Sequence, residues 1–92
     1  MKKRILEIIL KGIVSWTDSC IKALEIIIQG IEVDKNVVSE IENESYKTRK
    51  MMQKILDIGR KEEYGLSNLL PAASKAISGW AYAEKISFAP LH

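Results

Sequence analysis

Residues 5–31, ILEIILKGIVSWTDSCIKALEIIIQGI, decide the fold that this sequence predicts. Their apolar residues recur at steps of three and four, the spacing that stacks side chains on one face of an α-helix. Two neighbouring stripes result, and together they predict a face wide enough to contact two partner helices at once. The first stripe contains Ile5, Ile9, Ile13, Trp16, Cys20, Leu24, Ile27 and Ile31; the second contains Leu6, Leu10, Ile13, Ile21, Leu24 and Ile28.

Two more helices are predicted from their end signals. Asp34 is a suitable N-cap for a second helix, and Ser67 or Asn68 can cap a third. Pro71 then falls in the first turn of the third helix, where a missing amide matters least, and Pro90 ends it. The sequence therefore predicts one all-α domain over residues 1–92, an antiparallel three-helix bundle with helices at about 2–29, 35–60 and 68–88.

The second and third helices each carry a predicted core row. Glu44 stands on the row of the second helix where an apolar residue is expected, which makes it the most unusual residue in the chain. Gly12 in the first helix is predicted to mark a close helix contact. The predicted core row of the second helix contains Val37, Ile41, Thr48, Met51 or Met52, Ile55 and Ile58. The large core residues of the third helix are Leu69, Leu70, Ala73, Ile77, Trp80 and Ile86. The third helix also has a stripe of small residues, formed by Ala72, Ala76, Gly79 and Ala83.

Composition limits the classes of partner. The formal charge is +2, from 14 basic and 12 acidic residues, which is too mild a balance to indicate nucleic-acid binding. Charged residues interrupt the first helix, so no membrane span is expected, and the Met1–Arg4 start lacks a following signal-cleavage site. The single cysteine, Cys20, excludes an internal disulfide and is expected to be a small core residue. We expect a cytoplasmic protein.

Catalytic groups are scarce. His92 is the only histidine and is the last residue, Cys20 has no pairing partner, and there is no phosphate-binding glycine loop and no zinc spacing. These absences favour a protein that is not an enzyme. A carboxylate-bridged metal enzyme is a further interpretation, but it needs interior acids from other helices, and the first helix offers only Glu7, Asp18 and Glu25 off its apolar stripes.

Glu40 and Glu44 form the one pair with ligand spacing. They are one helical turn apart, so both carboxylates can face the same point and hold one divalent metal or iron ion. The alternative is that they belong to the acidic first half of a solvated helix. The basic residues that follow, Lys47, Arg49, Lys50, Lys54, Arg60 and Lys61, are expected to lie mostly on a solvated surface.

Taken in order, three stretches resemble one three-helix repeat of the PhoU-like family of phosphate-uptake regulators. The first is WTDSCIKALEIIIQG at 16–30, followed by the short turn to Asp34. The second is VVSEIENESYKTRKMMQKILD at 37–57, which is similar to the family helix with an acid-xxx-acid element and an apolar tail. The third is 66–87, where WAYAEKIS resembles the end of the third family helix.

The resemblance implies a non-enzymatic regulatory or adaptor module in phosphate uptake or signalling, with a phosphate transporter or sensor kinase as partner. It also implies metal binding, with Glu40 and Glu44 matching the acid-xxx-acid element. The third helix departs from that element, having Ile77 and Ala81, or Ser78 and Tyr82. The length matches one repeat of two, so a homodimer is expected, with a spare apolar face at Ile8 and Ile26. The alternative is a small helical interaction module of accessory or immunity type, unrelated to phosphate.

Overall fold

Three helices make up the computed structural model, which describes residues 2–30, 34–62 and 65–89, with side chains in the first helix given up to residue 24. The helices are α1 (Lys3–Gly30), α2 (Lys35–Lys61) and α3 (Leu69–Phe88), and none of the described residues forms a strand. Each helix begins and ends within one residue of its predicted bounds. The prediction of an all-α, three-helix arrangement is therefore confirmed.

The helix ends follow from local hydrogen bonding. Asp34 is the N-cap of α2, as predicted, and its side-chain oxygen accepts a 3.0 Å bond from the Asn36 amide. Asn68 occupies the N-cap position of α3, but its side chain makes no capping bond. The Leu66 carbonyl accepts from the amides of Leu69 and Leu70 instead. Gly65 has a φ of +72°, the left-handed conformation that glycine adopts without strain, and thereby turns the chain into α3.

The core lies mainly along α3, which packs extensively on α1 and on α2, whereas α1 and α2 contact each other only sparsely. Two clusters of buried apolar side chains result from this arrangement. Residues from all three helices contribute to both of them. The clusters are Leu6, Leu10, Ile13, Leu56, Ala73 and Ile77, and Leu24, Val38, Trp80 and Phe88.

The two apolar stripes of α1 have different surroundings. The second stripe is buried at Leu6, Leu10 and Leu24, as predicted. The expectation that the first stripe is also covered is wrong at Ile5 and Trp16, both of which are exposed. The cause is the sparse contact between α1 and α2, which leaves the α2-facing side of α1 without a full covering. Ile26, Ile27, Ile28 and Ile31 lie outside the described side chains.

The predicted core row of α2 is confirmed in part, because Ile41, Met52 and Ile55 are partly buried and pack against the core clusters. It is wrong at Val37, Met51 and Ile58, which are exposed. The buried positions are instead Val38, Leu56 and Gly59. Helix α2 is therefore turned so that Glu44, on the predicted row, lies at the surface.

Gly59 explains how α2 approaches its neighbours. A Cβ atom at this position would lie 3.1 Å from Cδ2 of Leu70 and 3.4 Å from Cδ2 of Leu6, so the absence of a side chain permits the contact. The close contact predicted at Gly12 is wrong, because nothing lies within 4 Å of a Cβ built there. The glycine that matters for packing is thus on α2 and not on α1.

The bulky row of α3 is largely as predicted, with Ala73, Ile77 and Trp80 buried. Ile86 is wrong, since it is exposed and the neighbouring Phe88 is buried. On the small-residue stripe, a Cβ at Gly79 would be 4.0 Å from Cδ1 of Ile21, so this part of the stripe faces α1. None of the described helices combines the length and apolar character that a membrane-spanning segment needs.

Candidate functional site: an open groove between α1 and α2

The sparse contact between α1 and α2 leaves a groove of about 440 Å³ at the surface. This volume is within the range of ligand and peptide-anchor pockets. Its walls come from one face of each helix, and Trp80 of α3 lies beneath them. The lining residues are Trp16, Cys20, Ala23 and Leu24 on α1, Glu40, Ile41, Glu44, Ser45 and Thr48 on α2, and Trp80.

Two tryptophans with different exposure shape the groove. Trp80 is only 2% exposed, whereas Trp16 is 46% exposed. Their ring centroids are 5.8 Å apart and the ring planes are nearly perpendicular, at 87°, the favoured edge-to-face geometry. The indole nitrogen of Trp80 donates a 2.9 Å hydrogen bond to Oγ of Ser45, which satisfies the buried N–H. Trp80 is therefore a fixed part of the core, as predicted, and Trp16 packs against it while remaining exposed at the surface.

The groove is one part of a longer apolar face. Helical steps of three and four residues extend from Cys20 and Trp16 towards the beginning of α1, and from Thr48 towards the end of α2. Most of the residues on this row are apolar, and several are exposed, including Met51 at 60%. We call the two rows together the α1/α2 face: Ile5, Ile9, Gly12, Trp16, Cys20 and Ala23 on α1, and Val37, Ile41, Glu44, Thr48, Met51, Ile55 and Ile58 on α2.

Glu40 and Glu44 lie at the rim of the groove, both on its α2 wall. The Glu44 side chain is 75% exposed, and its carboxylate is 3.6 Å from the Lys47 ammonium group, a surface pair of small energetic value. Its backbone carbonyl also accepts from Oγ1 of Thr48 at 2.9 Å, a bond within the helix. The two carboxylates therefore share a face, as their spacing predicts, and both are accessible from outside.

A single chain supplies only part of a metal site at Glu40 and Glu44. Within the described ranges, no group of three or more His, Cys, Asp or Glu side chains comes close enough to share an ion. Glu40 and Glu44 could supply two carboxylate oxygens, and the remaining ligands of a helix-bundle metal site would have to come from water or from another chain. Metal binding by Glu40 and Glu44 thus stays a prediction.

Cys20 is not a fully buried core residue, because it lines the groove with intermediate exposure. Partial burial raises the pKa of its thiol above the ordinary value of 9.0, since the apolar walls disfavour the thiolate. The thiol is therefore protonated near neutral pH and is a weak nucleophile there.

A second polar arrangement, which sequence reasoning missed, links α2 to α3 on another side of the bundle. Nε of Arg49 donates to Oε1 of Glu84, and the two side chains are only 17% and 10% exposed. The other carboxylate oxygen of Glu84 is buried and has no hydrogen-bond partner among the described residues. The Arg49 guanidinium is also 5.2 Å from the centre of the Tyr46 ring. The expectation of a solvated basic surface is therefore wrong at Arg49.

Comparison with known proteins gave no relative: no family model matches the chain, and no curated protein or solved structure is significantly similar to it. The class that the fold and groove define is an all-helical protein with an open apolar groove. The resemblance to the PhoU-like family stays a prediction.

Proposed function

We propose that this chain is a non-enzymatic regulatory or adaptor protein that acts by binding another helical unit through its α1/α2 face. The observation that carries the proposal is the row on α2 from Val37 to Ile58. Its seven members follow the alternating steps of four and three that are typical of helix–helix seams. Three of its apolar members, Val37, Met51 and Ile58, are nevertheless exposed in the single chain.

An apolar face of this kind supports binding because soluble monomers rarely leave a long contiguous apolar surface in water. The groove adds an anchor site, since Trp16 packs against the buried Trp80 and is exposed near the middle of the face. Aromatic residues in such positions often dominate interface energies. Helix recognition by a groove with anchors at steps of three and four is a common mode of protein binding.

The narrower proposal is that the partner system is phosphate uptake or phosphate signalling in the cytoplasm. It is supported by the resemblance to one PhoU-like repeat, by the observed order of three antiparallel helices, and by Glu40 and Glu44 sharing one rim of the groove. The second candidate is an interaction module unrelated to phosphate. It is favoured by the groove lining, where Glu40 and Glu44 are the only acids among the described residues, fewer than a helix-bundle metal site uses.

The face-binding proposal is tested by site-specific photo-crosslinking in cells that express the full chain. A photoreactive amino acid is placed at Met51, on the α1/α2 face, or at Tyr82, which is as exposed but lies on α3 outside the face. We expect a defined crosslinked product from position 51 and only background from position 82. Equal labelling from both positions, or none from position 51, would show that the face does not bind a protein.

The phosphate proposal needs its own measurement. Phosphate uptake is compared between cells with and without the chain, under phosphate-rich and phosphate-poor conditions. We expect the uptake rate to change when the chain is removed, and to recover with the wild-type chain but not with a Met51→Glu variant. An unchanged uptake rate would leave an interaction module of the second kind.

A further inference from the structure

We infer that the unit bound by the α1/α2 face is a second copy of this chain, docked in antiparallel orientation about a two-fold axis. The inference rests on the proposed function, because it names the occupant of the same face. Three observations carry it: the size of the face, the distribution of charge along α2, and the positions of Gly12 and Trp16.

The size of the face is enough for a weak symmetric dimer. The face extends over residues 37–58 of α2, about 32 Å at 1.5 Å per residue, and across a molecule 17 Å wide, so its outline is about 540 Å². Two copies together would cover about 1,100 Å², which is at the low end of specific interfaces. A two-fold dimer uses the same face on both copies, so the whole α1/α2 face is covered in one step.

The charge along the exposed edge of α2 is divided between its two halves. Glu40 and Glu44 lie in the first half, and Lys47 and Lys54 follow in the second; all four side chains are exposed. When two copies of α2 run antiparallel, the acidic half of one lies against the basic half of the other. A parallel arrangement would instead place α1 of one copy over α2 of the other and would lose this pairing.

The groove shows which residues of α1 and α2 lie level with each other. Trp16 and Cys20 of α1 line the groove together with Thr48 and Glu44 of α2. Because the two helices are antiparallel, a residue of α1 lies level with a residue of α2 when their two numbers add up to about 64. An axis crossing α1 midway between Gly12 and Trp16 therefore crosses α2 near residue 50. Residue 44 of one copy then lies level with residue 56 of the other, so Glu44 and Lys54 of the second copy are offset by two residues, or about 3 Å along the helices, which their long side chains can span.

The axis is placed midway between Gly12 and Trp16 because a large exposed residue then lies opposite a position that has room for it. Trp16 is exposed, and nothing lies within 4 Å of a Cβ atom at Gly12. Because these positions are equally far from the axis, Trp16 of each copy packs over Gly12 of the other. The absence of a side chain at Gly12, which the fold of one chain does not use, gives room for the indole ring.

The test is a charge exchange followed by sedimentation velocity on the full chain, at about 1 to 200 µM. We expect the wild type to form a dimer, and Glu44→Lys and Lys54→Glu each to raise its Kd about tenfold, since each variant places like charges opposite one another at two symmetric positions. An equimolar mixture of the two variants should form a heterodimer with nearly the wild-type Kd, because every contact then joins opposite charges. Lys75→Glu, an exposed change on α3, is the matched control and should leave the Kd unchanged.

Each possible failure has a distinct meaning. A wild type that stays monomeric at all concentrations overturns the inference, and the photo-crosslinking at Met51 then decides separately whether the face binds a different protein. A dimer whose Kd responds to neither charge reversal overturns the antiparallel orientation. Circular dichroism and urea unfolding of each variant establish that the exposed substitutions leave the fold intact.

Discussion

Arg49 on α2 and Glu84 on α3 form an ion pair that is largely removed from water, 35 residues apart in the chain. A buried pair of this kind contributes little compared with an apolar contact of the same size, but removing one partner leaves an uncompensated charge. The pair therefore fixes how α2 and α3 sit against each other more than it adds to net stability.

We expect Glu84→Ala to lower the free energy of unfolding by about 3 kcal/mol, because it leaves the Arg49 guanidinium buried without a carboxylate. Arg49→Ala should lower the free energy of unfolding by a similar amount. The double variant Arg49→Met with Glu84→Leu should lower it by much less than the sum of the two single effects. Urea unfolding of the four proteins measures this. Single losses below about 1 kcal/mol would show that the pair is effectively solvated.

Gly12 and Gly59, which both lie in helix interiors, should respond in opposite directions to replacement by alanine. Gly59→Ala places a Cβ atom 3.1 Å from Leu70, so the strain should exceed the gain in helix propensity and lower stability by about 1 kcal/mol. Gly12→Ala meets nothing within 4 Å and should raise stability by about 0.5 to 1 kcal/mol in dilute solution. Thermal unfolding monitored by circular dichroism compares the two. A stabilising Gly59→Ala would mean that Leu70 moves aside freely.

Thr17 is a buried hydroxyl residue in α1 whose Oγ1 has no hydrogen-bond partner among the described residues. Thr17→Val replaces the hydroxyl with a methyl group of similar shape and should raise the free energy of unfolding by about 1 kcal/mol. Thr17→Ser is the matched control, because it keeps the hydroxyl and should cost about 1 kcal/mol through the lost methyl group. If Thr17→Val destabilises the protein, the hydroxyl has a bound water or backbone partner.

The free energy of unfolding should decrease at alkaline pH because the Cys20 thiol ionises. Its pKa is raised in the folded chain by partial burial, so the unfolded chain releases the thiol proton first as the pH rises. The contribution of this group is therefore fully present below pH 9 and is lost as the pH rises through the higher pKa of the folded state. Above pH 9, the urea midpoint of the wild type should therefore fall relative to that of Cys20→Ala. A difference between the two urea midpoints that stays constant at all pH values would show that ionisation of Cys20 does not affect stability.

Helix positions could be predicted because their signals are local, but the choice of buried face on α2 could not. Val37 and Val38, Met51 and Met52, and Ile55 and Leu56 are adjacent apolar pairs, so two rows one position apart both have helical spacing. Which row is buried depends on Gly59, whose missing side chain permits contact with Leu6 and Leu70. That contact is between distant parts of the chain and leaves no periodic signal.

The candidate site was predicted in part. The spacing of Glu40 and Glu44 indicated a shared face, which the structure shows, but their place on a predicted core row suggested an interior position that the turn of α2 removes. The groove itself was not predicted, because it results from how little α1 contacts α2. Arg49 and Glu84 gave no sequence signal, since a buried charged pair requires two positions that only the packed helices bring together.

The dominance of α3 in the packing has a consequence for how the chain acquires its structure. Since α1 and α2 barely touch, a hairpin of these two helices has few contacts of its own, and most native contacts of α1 form with a helix that begins about 40 residues after α1 ends. Such non-local contacts slow folding, because a long loop has to close before they form. On the ribosome, the first two helices therefore emerge without their main packing partner. Completion of the fold waits until α3 has left the exit tunnel.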